Sequence, residues 1–487
     1  MSPRNARLLV FVTSAAVLVL EIMAGRLLAP FVGVTIETFT GIIGTVLAGI
    51  SLGAWLGGRV ADRVEPRSLL GPLLMAGGLL ALAAPTLVVA AGPAFRGGGP
   101  AEIVLLTTVA FLLPAAVLSA VTPVVVKVML ADLSHTGTVV GSISAVGTAG
   151  AIFGTFLTGF VLLAALPVRS IVFGVGGLLV ACGLGLAIRY WPMTTGTVGL
   201  VVVAAVGTGA ALAFVDGPCD SETTYYCARV EVDPNRPSGR VLWLDTLQHS
   251  YVDLEDPTHL EFRYVQLMAD AITTQFGEGP VDALYVGGGG FTLPRWLSAV
   301  RPGSSNTVLE LDGGLIDIAV AQLGLRADAI DRVEIGDARL TLRGTPEAAF
   351  DLIVGDAFGG LSVPWHLTTR EFLEEVRERL RPGGLYVMNV IDRPPNAFAE
   401  SEAATLREVF EHVAVAAPRD YLQGAAGGNF VFAASADPLD ADALSRALEA
   451  REARSVVIVG GEVDAWTAGA PILRDDFAPV DQLLGRN

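Results

Sequence analysis

The chain opens on a long succession of apolar positions broken only by short polar joints. Stretches long enough to cross hydrocarbon run at 8–30, 39–58, 68–92, 102–130, 139–166, 170–188 and 196–215. Seven membrane spans are therefore expected. Past residue 215 the periods shorten. Residues 223–233 and 239–254 are rich in β-formers and flank the turn-rich Pro234-Asn-Arg-Pro-Ser-Gly239, which predicts a small antiparallel β unit. Phe262, Val265, Leu267, Met268 and Ile272 then recur at helical spacing within 260–276.

From residue 281 onward short apolar runs alternate with helical patterns. Strands are expected at 281–286, 307–311, 332–335 and 351–355, and helices at 291–300, 313–323 and 369–380. Arg381-Pro-Gly-Gly384 leads into a strand at 385–390, followed by a helix at 399–411 and strands at 413–417 and 429–434. Such alternation predicts a parallel sheet with helices on both faces. The expected organisation is a transmembrane α-helical bundle (1–215), a small β unit with its connecting helix (216–278), an α/β domain (279–440) and a C-terminal extension (441–487).

Composition sharpens the division. Of 487 residues 52% are hydrophobic, and the mean hydropathy of +0.57 is too high for one soluble globule. The first 215 residues hold ten Lys or Arg and six Asp or Glu; the remaining 22 basic and 43 acidic residues leave the second half at −21. That field disfavours nucleic acid and suits cationic partners such as amines, although it also simply confers solubility.

Arg4 and Arg7 precede the first span, and Arg59, Arg63 and Arg67 separate the second from the third, which puts the N-terminus in the cytoplasm. The long first stretch, with more spans behind it, argues against a cleaved signal peptide. Seven spans would place the acidic half outside, where Cys219 and Cys227 could pair, with Cys182 inside a span. A half-inserted segment near Pro114 or Pro123 would reverse that parity, so the side stays open. Glu21, Arg26 and Lys127 are ionisable groups in or at the ends of spans, and mark either function or ion pairing and snorkelling. Gly41, Gly44, Gly49, Gly53, Gly57, Gly58, Gly147, Gly150, Gly154 and Gly159 recur at about helical spacing, as in close helix packing.

Candidate chemistry gathers around Val281-Asp-Ala-Leu-Tyr-Val-Gly-Gly-Gly-Gly290. An apolar strand ending in glycines before a helix lets a ligand approach the backbone, with Gly287, Gly288 and Gly289 as the expected contacts, or is simply a tight connection. Glu310 and Asp312 end the next strand, where a carboxylate can hold a ribose diol or merely cap the following helix. Asp337 with Ala338 can serve an adenine edge or a turn. Asp356, after the strand at 351–355, can orient and deprotonate an amine, or act as a cap. His249, Tyr264, Trp365 and His366 are candidate pocket walls. No metal-site spacing, nucleophile elbow or Walker pattern is present, and the five histidines are scattered.

Over about residues 220–435 these motifs, in this order, resemble the spermidine synthase (polyamine aminopropyltransferase) family: Leu244-Asp245, Phe262-Arg-Tyr264, the glycine turn, Glu310-Leu-Asp312, Gly336-Asp337 and Asp356. The whole chain resembles its bacterial membrane-fused branch, with Glu21-Ile-Met-Ala-Gly-Arg-Leu-Leu-Ala-Pro30 in the first span and Phe291-Thr-Leu-Pro-Arg295 after the glycines. The resemblance implies a methyltransferase-like (Rossmann-like) fold, decarboxylated S-adenosylmethionine as co-substrate with no tightly bound cofactor, a putrescine-like amine acceptor, a homodimer, and a multi-pass place in the lipid bilayer of the cell membrane. It also implies roles: Glu310 on the ribose, Asp337 and Ala338 on the adenine, Asp356 as proton acceptor, Tyr264 in the amine channel, and His249 where the family usually has glutamine.

The chain departs from that pattern where the family places further acids. Gly290 stands at the acid of the glycine turn, Gly359 at the second acid of the Asp356 loop, and Gln266 at the glutamate of the tyrosine segment. Two other readings are a methyltransferase using S-adenosylmethionine and a membrane transporter or sensor whose soluble domain only binds a ligand.

Overall fold

A computed structural model of the chain describes residues 1–96, 99–130, 135–190, 217–326, 329–360, 362–451 and 453–485. The chain divides into two compact units, Met1–Arg229 with Leu244–Thr246, and Val230–Trp243 with Leu247–Asn487.

Among its described residues the first unit contains six helices long and apolar enough to span a bilayer: Pro3–Val32, Ile36–Ala61, Pro66–Phe95, Pro100–Met129, Thr136–Ala165 and Val168–Tyr190. The seventh expected span, 196–215, lies outside the described residues. Ser2 and Thr35 start the first two helices by accepting from the backbone N–H groups of Asn5 and Thr38. The small residues of the second helix set its distance from the fourth. Gly41, Gly49, Gly53 and Gly57 face Ile103, Ala115, Ala116 and Ala120, and a Cβ on Gly53 would fall 1.9 Å from the Ala116 carbonyl oxygen. Gly150 and Gly154 meet the backbone of Phe11 and Ala15 in the same way. Gly44 and Gly159, expected to pack likewise, face open space. Lys127 pairs with Asp62 at 2.7 Å, and Glu21 lines a cleft of about 190 Å³ with Val17, Val46 and Phe111. Cys219 and Cys227 are joined in a disulfide.

Twelve strands follow: β1 (Ser221–Glu222), β2 (Cys227–Asp233), β3 (Arg236–Leu244), β4 (Leu247–Asp253), β5 (Asp282–Val286), β6 (Ser305–Glu310), β7 (Arg332–Ile335), β8 (Phe350–Gly355), β9 (Leu380–Asp392), β10 (His412–Pro418), β11 (Gly428–Ser435) and β12 (Ser455–Val459). The first four form a sheet in sequence order, and the β-rich stretch 239–254 is split at Asp245, whose φ is +52°. The remaining eight form one sheet in the order β12-β10-β11-β9-β8-β5-β6-β7.

The sheet is mixed, which corrects the expectation of a parallel one. β9, β8, β5, β6 and β7 are parallel neighbours joined through helices, whereas β11, β10 and β12 pair antiparallel. The short link from Pro418 to Gly428 is the cause: it allows only a hairpin, so β11 turns back between β9 and β10. β12 adds a further edge strand from the segment read as a C-terminal extension. The helices Arg370–Arg379 and Ala397–Val409 bury Phe372, Leu373, Val376, Phe398 and Leu406 against the sheet. Each such phenylalanine contributes about 1.5–3 kcal/mol by leaving water. This rigid floor fixes the carboxyl ends of β5, β6 and β8, where the candidate residues lie.

Candidate active site

The site begins where β5 stops. Gly287 takes φ +98°, a left-handed value open to glycine, and a Cβ there would fall 2.7 Å from the Asp356 carbonyl oxygen. Two backbone bonds tie this corner to its neighbours: Gly287 N–H to the Leu309 carbonyl at 2.9 Å, and Asp356 N–H to the Val286 carbonyl at 3.0 Å. The turn then wraps Glu310 at the end of β6. Gly288 and Gly289 donate N–H bonds to its Oε2 at 2.8 and 3.2 Å, and Asp312 N–H donates to Oε1 at 2.9 Å. Burial raises the Glu310 carboxyl above its usual range, while the three amides pull the other way.

β4 closes the turn from the other side. Ser250 Oγ accepts from Gly290 N–H at 2.9 Å, and Thr292 Oγ1 donates to the Tyr251 carbonyl at 2.9 Å. His249 lies beside Gly289, with Nδ1 3.0 Å from Ser250 Oγ. Burial holds its imidazole down at about 4, so it is neutral at physiological pH.

Asp356 follows β8 and faces the same cleft. Asn389 Nδ2 on β9 donates to its Oδ1 at 2.9 Å, and Asn429 Nδ2 on β11 donates to Asn389 Oδ1 at 3.0 Å. Tyr264, near the start of helix Arg263–Gln275, directs its hydroxyl at Oδ2 from 3.4 Å. Burial pushes the Asp356 carboxyl up to about 6, against the pull of these donors, and burial with the Asp356 charge holds the Tyr264 phenol well above its ordinary value. The result is a base poised near neutrality, with a tyrosine kept protonated beside it.

The cleft, open to solvent, covers about 430 Å³ of space and is lined by Tyr251, Phe262, Tyr264, Tyr285, Leu293 and Asp356, with His249 and Gly287 to Gly289 also in its lining. Among its described lining residues Asp356 is the one acid. Trp365 and His366, read as candidate walls, do not line it: Trp365 is half exposed, and His366 Nε2 lies 2.9 Å from Asp337 Oδ2. Asp312 and Asp337 each cap a helix, accepting from Gly314 N–H at 3.0 Å and Leu340 N–H at 3.1 Å. They stand outside the cleft with Ala338, while Gly336 N–H joins β7 to the Glu310 carbonyl at 2.9 Å.

Three positions account for the missing acids. Gly290 has no room for a longer residue, since a Cβ would fall 2.6 Å from Ser250 Cβ. Gln266 spends its amide on the Leu260 carbonyl at 2.6 Å. Gly359 is exposed, and a Cβ there would meet Pro364 and the Ser362 carbonyl only at ordinary contact distance, 4.0 Å. Asn389, Asn429 and Ser250 were not foreseen from the sequence. Asn389 carried a signal: a lone amide in the apolar run Leu385-Tyr-Val-Met-Asn389-Val-Ile391 has to find polar partners once buried.

No family model matches the chain. Its sequence is 29% identical over 246 residues to a polyamine aminopropyltransferase of Vibrio vulnificus, spanning 48% of this chain and 79% of that protein. It is 30% identical over 149 residues to a polyamine aminopropyltransferase of Chromobacterium violaceum, spanning 30% of this chain and 54% of the relative. Among solved structures, a probable spermidine synthase from Corynebacterium glutamicum superposes with a TM-score of 0.49 at 30% identity, covering 53% of this chain and 97% of that one.

Proposed function

We propose that this chain, whose soluble half is homologous to proteins named polyamine aminopropyltransferase and spermidine synthase, transfers an aminopropyl group from decarboxylated S-adenosylmethionine to an amine. The observation that carries the reading is Asp356, raised to about 6 in an aromatic cleft beside the glycine turn. The acceptor nitrogen attacks the propyl carbon next to the sulfonium, the carbon–sulfur bond breaks with its pair going to sulfur, and 5′-methylthioadenosine leaves. The proton shed by the acceptor passes to Asp356. Moving that carboxyl from 3.8 to about 6 brings it about 100-fold closer to the basicity of an amine, which favours the transfer. Glu310, within the glycine turn, holds the ribose; Asp337 and Ala338 serve the adenine edge; Tyr264 and His249 line the acceptor's path.

The charge inventory narrows the acceptor. An ammonium buried without a counter-charge is costly, and the described cleft lining offers one carboxylate among aromatic and apolar walls. The acceptor is therefore an amine with one cationic end held at Asp356 and an apolar body, in preference to a short diamine such as putrescine.

Calorimetry on the full chain in detergent tests the reading, with decarboxylated S-adenosylmethionine, S-adenosylmethionine and 5′-methylthioadenosine as probes. Selective binding of the decarboxylated donor, lost in Glu310→Ala, is expected. Preference for the intact donor would move the assignment to methyl transfer. Binding of none of the three would leave a transporter or sensor.

A further inference from the structure

The helices of the membrane-spanning unit define two ends. Gly53 and Gly57 against Ala116 and Ala120 make the second and fourth helices parallel; Gly150 and Gly154 against Phe11 and Ala15 do the same for the first and fifth. Gly71 against Ala187 and Gly78 against Gly176 make the third and sixth antiparallel, and Gly92 on Phe31 joins the ends of the first and third. One end therefore gathers Arg4, Arg7, Arg59, Arg63, Arg67, Lys127 and Arg189; the other gathers Arg26, Arg96 and Arg169. Seven basic residues against three is the bias that marks the first end as cytoplasmic.

Residues 217–229, within the same unit, are fastened to the second end. Glu222 Oε2 accepts from Val168 N–H at 2.8 Å, at the start of the sixth helix. Arg26, near the end of the first, donates to the carbonyls of Thr223 at 2.9 Å and of Tyr225. Gly217 packs beside the Arg169 guanidinium. The Cys219–Cys227 disulfide lies in this segment, against Pro30, Val89 and Arg169.

We infer that the polypeptide enters its soluble half on the non-cytoplasmic side of the membrane, and that the Asp356 cleft works there, in an oxidising compartment. Charge bias names the side and chain path places the entry there, and a closed disulfide independently belongs to the same side. The inference does not rest on the proposed chemistry. If both hold, a transport step has to deliver the sulfonium donor to the cleft.

The test is labelling of the full chain in bacterial cells with a membrane-impermeant maleimide, using Glu462→Cys and Glu65→Cys in a Cys182→Ala background. Both positions are exposed, the first in the soluble unit and the second at the seven-cation end. Labelling of Glu462→Cys in intact spheroplasts, with Glu65→Cys silent until the membrane is permeabilised, is expected; the reverse pattern overturns the inference. Should either variant fail to reach the membrane, C-terminal fusions to the full chain decide. Active alkaline phosphatase with dark green fluorescent protein supports the assignment, and inactive phosphatase with bright fluorescence overturns it. Neither readout uses turnover, so a failed topology and a failed activity are distinguishable.

Discussion

Replacing Asp356 with asparagine should sharply slow turnover and stabilise the fold, because one cause produces both effects. Burial moves the carboxyl from 3.8 to about 6, so near pH 8 the folded chain carries about 3 kcal/mol of unfavourable ionisation, at 1.36 kcal/mol for each tenfold. A group whose pKa is raised in the fold supports stability fully below its unfolded value and loses that support as pH rises through the folded value. The window therefore runs from about 4 to about 6, with the penalty complete above it. The Asp356→Asn change removes the charge and keeps an oxygen for Asn389 Nδ2. The soluble unit should then melt several degrees higher than wild type near pH 8, at about 2–4 °C per kcal/mol, and the gap should close toward pH 4. Thermal melting of the detergent-solubilised chain across that range is the assay, alongside turnover, which should fall by about 10²–10⁴-fold. A variant no more stable than wild type at pH 8, or a gap independent of pH, refutes the burial argument. Wild-type turnover in the variant refutes the base.

Asn389→Leu removes a donor to a charged oxygen, worth about 1.5–3 kcal/mol, so the acid limb of the rate profile should move up by about 1–2 pH units with activity recovering above it. An unmoved limb with uniformly lower rates would mean a structural role only. Acceptor affinity should fall about tenfold per pH unit below 6 as Asp356 is neutralised; calorimetric constants unchanged from pH 7.5 to 5 would show that another group holds the ammonium. In the membrane unit, Gly53→Leu places a side chain on the Ala116 backbone and should cost at least about 1–3 kcal/mol, whereas Gly44→Leu, facing open space, should melt like wild type. Equal melting of the two variants would show that the second and fourth helices do not rely on this approach.

The elements of the soluble unit were legible because each combines a clear period with a marked stop. β5 ends in glycines and helix Arg370–Arg379 begins at the capping Thr369, whereas β9, expected at 385–390 after Arg381-Pro-Gly-Gly384, already begins at Leu380 and runs through that segment. The mixed order of the sheet was not legible, since an apolar run states that a strand is buried and not which neighbour it takes. β12 escaped for a similar reason: Ser455-Val-Val-Ile-Val459 lies beyond the stretch covered by the family resemblance. Within the site, Glu310 and Asp356 could be placed at strand ends from the alternation alone. Asn389 and Asn429 could not be joined to Asp356, because that hydrogen-bond chain crosses three strands whose adjacency only the fold establishes. Gly44 and Gly159 show the limit of a spacing argument, since spacing gives the face of a helix and not what lies opposite.

Asp356 as the single acid among the described lining residues is consistent with the rest of the cleft's electrostatics. A second buried carboxylate beside Asp356 would disfavour its ionisation further and lift it beyond about 6, leaving little base near neutrality. Ser250 against Gly290 and the Leu260 carbonyl against Gln266 occupy two of the places from which such an acid would reach in. The neutral His249 adds no cation to compete with an incoming ammonium. Asn389, steadied by Asn429, then offsets part of the cost of burial without neutralising the charge. A pocket built this way exchanges the grip of several acids on a polycation for one base that stays ionised at the pH where it works. If the cleft takes the acceptor as proposed, its selectivity has to come from aromatic walls around one ammonium, which makes the apolar body of the acceptor the part of the substrate most open to discrimination.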